Sequence, residues 1–547
     1  MDNGSSKSES RRTFLQQAAA LTLLALSSSD RDAGAQNAAT TTPAQAATPA
    51  QASTPVHRDS IDLDAERQVI ENFGASDAWT FQTLGEWSLE NRERLADLLF
   101  SKERGIGLSC WRFNIGGGIN PQIRNRSRTV ETFEVAEGVY DWQRQKSEQW
   151  FLGAAKKRGV EQFLAFVNSP PGRMTRNGLT FNTADATATT NLKPDFEGQF
   201  ARYMVDILDH FRNNPDEQLR INFDYISPIN EPQWDWQSTK QEGSRASNDD
   251  IKRVVRALDA ELKRRSVPTA ISAIECATLP DMSALNQDST RKWGAPYGNY
   301  IGALIEDPTF APLLSKRISY HSYFSDLLTG EIIDHRRQLA ARMAAHPDWK
   351  LWQSEYCILE GPEGKGGGGR DLTMETALVV ARVMHLDLTI ANVAAWQWWL
   401  GLSSVNFKDG LIYTDYRQPG DEQTIFPAKL LWAMGNYSRF VRPGMRRIEV
   451  TGPGHDIRGL MGSAYKSEAE RKVVLVYVNI GNEKQVVQPQ FGLGRRPWKM
   501  QSLTRYITSD TDGDDLRASV LPVTATQLEI SPRSVVTFVA QFGAATP

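Results

Sequence analysis

Between about Val69 and Tyr437 the chain repeats one pattern eight times: a short β-rich apolar segment, then a longer segment of helical period. This alternation is the mark of βα units and a parallel sheet. The strand candidates are Val69 to Gly74, Gly107 to Phe113, Gln162 to Val167, Phe223 to Ile229, Thr269 to Ile274, Arg317 to His321, Trp349 to Ser354 and Val393 to Trp398. Amphipathic stretches such as Asp195 to Phe211, Asp249 to Arg265 and Leu372 to Ile390 follow them. Eight such units predict an α/β fold, a (β/α)8 barrel, whose chemistry belongs at the carboxyl ends of the strands.

After about Phe440 the pattern changes to short alternating strands, including Val473 to Val478, Trp498 to Tyr506 and Ser534 to Phe542, parted by Gly, Asn, Asp and Pro turns. That predicts an appended small β-sandwich. Ile61 to Gln68, ahead of the barrel, is a candidate extra strand of the sandwich. At the other extreme, Ser10-Arg11-Arg12-Thr13-Phe14-Leu15 precedes an apolar run from Ala18 to Leu26 and the small residues Ala33-Gly34-Ala35. This reads as a twin-arginine export signal, too short to span a bilayer comfortably, so a periplasmic or extracellular protein without stable membrane insertion is expected. Gln36 to Pro55 is Ala, Thr, Pro and Gln without periodicity, a linker composition. The expected division is signal 1–35, linker 36–55, barrel 56–438 and sandwich 439–547.

Composition narrows the partners. The 547 residues are 40% hydrophobic and 9% aromatic, enough for a large core, and the net charge of −3 comes from interspersed acids and bases. Neither nucleic acid nor an anionic membrane surface is favoured, and a neutral substrate fits better. Cys110, Cys276 and Cys357 are far apart with no CxxC, so they are expected as small buried apolar residues. The seven histidines form no HExxH, and Gly116 to Gly118 and Gly366 to Gly369 lack phosphate-loop spacing. No metal and no cofactor are expected, and a monomer is.

The strongest local motif is Ile226-Ser227-Pro228-Ile229-Asn230-Glu231-Pro232, an Asn-Glu pair where the fourth strand becomes loop. The second is Leu351-Trp352-Gln353-Ser354-Glu355-Tyr356, with a glutamate at the end of the seventh. Strands four and seven face each other across a barrel mouth, so both carboxylates can enter one cleft. Two carboxylates about 5 Å apart are what a retaining glycosidase requires. Glu275, ending the fifth strand, could also reach the substrate but is not needed as a catalytic group.

These residues resemble glycoside hydrolase family 30, and the resemblance covers most of the mature chain. It rests on Asn72-Phe73-Gly74-Ala75-Ser76-Asp77-Ala78-Trp79, Trp111-Arg112-Phe113-Asn114-Ile115-Gly116-Gly117-Gly118 and Asn168-Ser169-Pro170-Pro171. It continues through Asn230-Glu231-Pro232, His321-Ser322-Tyr323, Glu355 and Trp396-Gln397-Trp398-Trp399. The Trp-Arg-x-Asn-x-Gly-Gly-Gly element is most similar to the endo-β-1,6-galactanase branch. The resemblance implies Glu231 as acid/base, Glu355 as nucleophile, and Arg112 as the cation beside Glu355. Asn230 can donate to the sugar 2-hydroxyl, while His321 and Tyr323 would orient Glu355 or touch the sugar. Asp77 and Asn168 could bind hydroxyls, and among Trp79, Trp234, Trp236, Trp396, Trp398 and Trp399 the favoured sugar platforms are Trp79 and Trp396.

The expected activity is thus hydrolysis of β-glycosidic bonds in a neutral polysaccharide or oligosaccharide, with β-1,6-galactan first. Other specificities of the family (β-1,6-glucanase, glucosylceramidase, xylanase, β-xylosidase) would share the machinery and differ in loops, and a transglycosidase would intercept the same covalent intermediate with a sugar. A non-catalytic carbohydrate-binding envelope protein is the reading from another class; it would not need both glutamates.

Overall fold

The computed structural model describes residues 56–544 except 120–127, 184–186, 238–240, 365 and 453–455. The expected signal and linker therefore lie outside the described residues. Seven parallel barrel strands are continuous: Asn72–Ser76, Cys110–Ile115, Gln162–Val167, Tyr225–Ser227, Arg317–His321, Lys350–Glu355 and Ala395–Ser403. The fifth is split into Ala270–Ile271, which pairs with the fourth strand, and Glu275–Cys276, which pairs with the sixth, so the ring closes through it. The third and sixth strands span the residues expected of them. The fourth ends earlier than expected because Pro228 has no N–H for the ladder. The first starts late because the residues before it belong to another sheet.

Alternation along each strand decides what reaches the barrel axis. Below the mouth the interior is mixed: Gln397 donates to Asn72 at 2.8 Å and Asn72 to Gln162 at 2.8 Å, while Tyr225 of the fourth strand and Trp352 of the seventh meet edge-on, 4.9 Å between centroids. Residues of opposite parity face the helices. Tyr320, Ser322 and Trp396 all donate to the buried carboxylate of Asp387, at 3.0, 2.8 and 3.0 Å, and Arg336 binds the same group at 2.7 Å. The helix Asn248–Arg265 starts from a capping box in which Ser247 and Asp250 satisfy each other's backbone N–H groups.

The residues after the barrel, with Val56–Val69, form a path of nine strands. Val56–Val69 lies between Arg446–Thr451, antiparallel, and Gln485–Gly492, parallel. Phe491 and Phe542 are five strands apart along that path, about 24 Å if it were flat, yet their ring centroids are 5.8 Å apart. The sheet therefore curls over its own core as a sandwich. In Lys472–Asn479 one set of residues, Val473, Leu475 and Tyr477, enters that core, while Val474, Val476 and Val478 join the barrel's apolar cluster. Asn436, on a barrel helix, exchanges hydrogen bonds with Thr537 of the sandwich at 3.0 and 2.6 Å. The three cysteines are buried and free, as their spacing implied. Among the described residues no helix is long and apolar enough to cross a membrane.

Because Arg336 and Asp387 are both fully buried, removing one partner strands a charge. Arg336→Met is expected to cost about 3–5 kcal/mol of unfolding free energy in urea titrations. A cost under about 1 kcal/mol would mean that Tyr320, Ser322 and Trp396 suffice for Asp387.

Candidate active site

Inward parity brings Arg112 and Asn114 from the second strand, Phe166 and Asn168 from the third, and His321 and Tyr323 from the sixth to the same end of the barrel. Gln397 and Trp399 come from the eighth. Glu231 follows the fourth strand with φ of 44°, a left-handed backbone that a glutamate seldom adopts. That turn is fixed by the Glu231 N–H donating to the Glu275 carbonyl at 2.7 Å and by the Trp236 indole N–H donating to the Glu231 carbonyl at 3.0 Å. Glu355 ends the seventh strand beside a register shift, where His321 pairs with Glu355 although the preceding pair is Tyr320 with Gln353. Ser354 has the inward parity of Trp352 and hydrogen-bonds Glu275, and the extra residue brings Glu355 to the same side.

Arg112 donates to Glu355 Oε2 at 3.1 Å and Tyr323 donates to Oε1 at 2.8 Å. Glu231 Oε1 lies 2.8 Å from His321 Nδ1. One ligand atom each of Glu231, His321 and Glu355 lie within 4.8 Å of one another. Glu231 is held above the usual carboxylate range, first by burial and then by the charges of Glu355 and Glu275, with His321 opposing. Burial alone would lower His321, but Glu355, Glu231 and Glu275 raise it to about 9.

The flanking residues differ from expectation in part. Asp77 is buried, accepts from the Asn114 N–H at 2.8 Å, and is pushed up by burial to about 8. Asn168 is tied to Asn114 at 2.7 Å and to Glu242 at 3.3 Å. Asn230 is buried next to Glu231 and bridges Glu275 through its backbone. Trp79 stands edge-on to Trp399, 5.2 Å between centroids, with the Arg128 guanidinium 5.4 Å from its ring. Trp396 is corrected: it is fully buried, faces the helices and gives its N–H to Asp387, leaving no ring face for a sugar. Its neighbour of opposite parity, Trp399, packs toward Phe166, over which Arg112 lies. Trp398 is also core, whereas Trp234 and Trp236 are partly exposed beside Glu231.

Sequence reasoning did not single out Glu242 or Asp409, buried acids that burial pushes up to about 8 and about 7. Both sit on loops after strand ends, without a motif to mark them. Trp399 was discernible, since the lone polar Gln397 marks the inward parity of the eighth strand.

Residues 57–413 match the family described as O-glycosyl hydrolase family 30. The chain belongs to this family. Membership carries O-glycosyl hydrolase activity and a carbohydrate substrate with it. A conserved exported protein from Bacteroides fragilis is 31% identical, over 88% of this chain and 99% of that one, with a TM-score of 0.77. The catalytic domain of a family 30 xylanase C from Talaromyces cellulolyticus is 19% identical, over 88% and 100%, with a TM-score of 0.62. An endo-β-1,6-glucanase is 17% identical, over 88% and 94%, with a TM-score of 0.61. At those last two identities the likeness is one of fold.

His321 yields a pH test. Its folded-state pKa, about 9, lies above its ordinary 6.5. The stability it contributes is therefore complete below the lower value and lost as pH rises through the higher. The destabilisation caused by His321→Asn should be largest near about pH 6 and shrink by about pH 9.5 in urea titrations. A pH-independent difference would indicate a neutral ring.

Proposed function

We propose that this member of family 30 is a retaining β-glycosidase with Glu231 as acid/base and Glu355 as nucleophile. The observation that carries the reading is the pairing of two buried carboxylates, within 4.8 Å at their nearest atoms, in opposite environments. Retaining enzymes hold their carboxyl groups about 5–5.5 Å apart, while inverting ones leave room for a water at about 6.5–9.5 Å. Arg112 and Tyr323 hold both oxygens of Glu355 and aim its charge. Burial and neighbouring negative charge favour the protonated form of Glu231.

In the first step Glu355 attacks the anomeric carbon while Glu231 gives its proton to the departing glycosidic oxygen. Formation of the glycosyl ester removes the Glu355 charge, and with it one of the influences that keep Glu231 protonated. Glu231 then takes a proton from the incoming water, which displaces Glu355 with retention at the anomeric centre. Asn230 would donate to the 2-hydroxyl as oxocarbenium character develops. Asp77, expected to be a neutral carboxyl near pH 7, can both donate to and accept from sugar hydroxyls. Asn168, fixed by its two partners, would present a preorganised neighbour, and Trp79 with Trp399 would form the apolar wall.

We propose β-1,6-galactan as substrate, on the Trp111 to Gly118 element; β-1,6-glucan and xylan are the competing backbones, favoured by the likeness in fold to enzymes named for them. Export through the Ser10 to Leu15 signal is proposed as well, supported by the exported relative.

Glu355→Gln should lower kcat at least about 10³-fold on every substrate. Glu231→Ala should lose activity on poor leaving groups while retaining it on activated aryl β-glycosides. Proton NMR of products from galactan, glucan and xylan should show the β-anomer first; α-anomer first would refute retention, and binding without turnover on all three would favour the carbohydrate-binding reading.

A further inference from the structure

The third carboxylate of the site, Glu275, has no part in the two-step chemistry, yet it is wholly buried beneath it. Its Oε2 lies 3.2 Å from His321 Nε2 and 3.6 Å from Arg112 Nη2, and it also accepts from Ser354. Its backbone carbonyl receives the Glu231 N–H. His321 is consequently clamped between two glutamates, Glu231 on Nδ1 and Glu275 on Nε2, and the charged groups facing it can be named among the described residues. Glu231 comes from the loop after the fourth strand and Glu275 from the fifth. Glu355 comes from the seventh, with its Oε1 3.7 Å from Nδ1, and Arg112, from the second strand, reaches the ring only through Glu275 and Glu355. Tyr323 packs edge-on at 5.5 Å.

We propose that Glu275 is a positioning residue that keeps His321 an imidazolium and thereby fixes which oxygen of Glu231 carries the catalytic proton. The inference rests on the acid/base reading of Glu231. A neutral imidazole has one N–H and one lone pair, whereas the ring here faces carboxylate oxygens on both nitrogens. With Glu275 ionised, Nε2 must donate to it. Nδ1, also protonated, donates to Glu231 Oε1, which leaves the acid proton on Oε2. If His321 lost its charge, Nδ1 would be free to accept that proton from Oε1, and the acid would point at the histidine instead of the leaving group. Burial works against ionisation of Glu275, but Arg112, His321 and Ser354 together hold it below the usual carboxylate range. The anion on which the clamp depends is thus itself held by a second cation.

The test uses the full chain labelled with 15N-histidine, the His321 resonances being assigned from His321→Gln. In wild type the His321 nitrogens should stay at imidazolium shifts through neutral pH; in Glu275→Gln they should titrate at least about one pH unit lower. Glu275→Gln should also lose about 10²-fold in kcat/KM on phenyl β-galactoside and under about 3-fold on 2,4-dinitrophenyl β-galactoside, with its basic limb moved to lower pH. Glu275→Asp should restore much of the loss. Azide rescue of Glu231→Ala tests the acid/base reading separately, so its failure condemns that reading without touching the NMR result. A wild-type ring titrating near its ordinary value overturns the proposal, even if Glu275→Gln does not fold. So does an unchanged ring in Glu275→Gln, or equal losses on both aryl substrates.

Discussion

Three carboxylates and two cations share one buried space at the barrel mouth, and their balance constrains everything around them. Glu231, Glu275 and Glu355 meet Arg112 and His321. Desolvating a charge costs several kcal/mol even after relaxation, recovered only when geometry is good and remaining hydrogen-bonding capacity is met. A parallel barrel meets that demand because each group comes from a different strand end, four of them on the ladder itself and Glu231 just beyond it with its N–H on the Glu275 carbonyl. The register shift before Glu355 and the left-handed turn at Glu231 are the local departures that bring side chains inward which regular alternation would place elsewhere.

The layer below the mouth is part of the same solution. An apolar plug would leave Glu275 and Arg112 in a medium that opposes both charges. Instead, the amides of Gln397, Asn72 and Gln162 run along one side of the axis, and Tyr225 and Trp352, edge-on at 4.9 Å, lie beside the Arg317 guanidinium. The cohesion of the barrel then comes largely from the outer layer, where aromatic and aliphatic residues of opposite parity meet the helices, and where Asp387 anchors three strand side chains to Arg336. The sandwich adds a further cover. Its central strand is apolar on both faces because one face fills the sandwich and the other closes on the barrel.

How legible all this was depends on which signal is local. The βα alternation, the two glutamates and the tryptophan-rich eighth strand are patterns of neighbouring residues, and they pointed to the barrel and to the paired carboxylates. Strand parity is local too: with Gln397 inward, Trp396 must face Asp387 and Trp399 the site. The fifth strand shows the opposite case. Nothing adjacent to Glu275 reveals that His321, some 46 residues on, will lie against it, because that contact exists only once the sixth strand has paired. Glu242 and Asp409 are hidden for the same reason, their burial being a property of the assembled mouth.

The parallel pairing of Val56–Val69 with Gln485–Gly492 follows from similar long-range logic. A strand that leads into the barrel can join the later sheet only after the whole barrel intervenes, so the two ends of the folded unit are locked together across the full chain. Asp59, on this strand, accepts a hydrogen bond from Tyr477 at 2.8 Å inside the sandwich. The first barrel strand, carrying Asp77 and Trp79 toward the site, is thereby tethered just upstream to a second sheet. Asp77, the carboxyl proposed to meet a sugar hydroxyl, benefits from a strand that cannot slide, and this register is set from outside the barrel as well as within it.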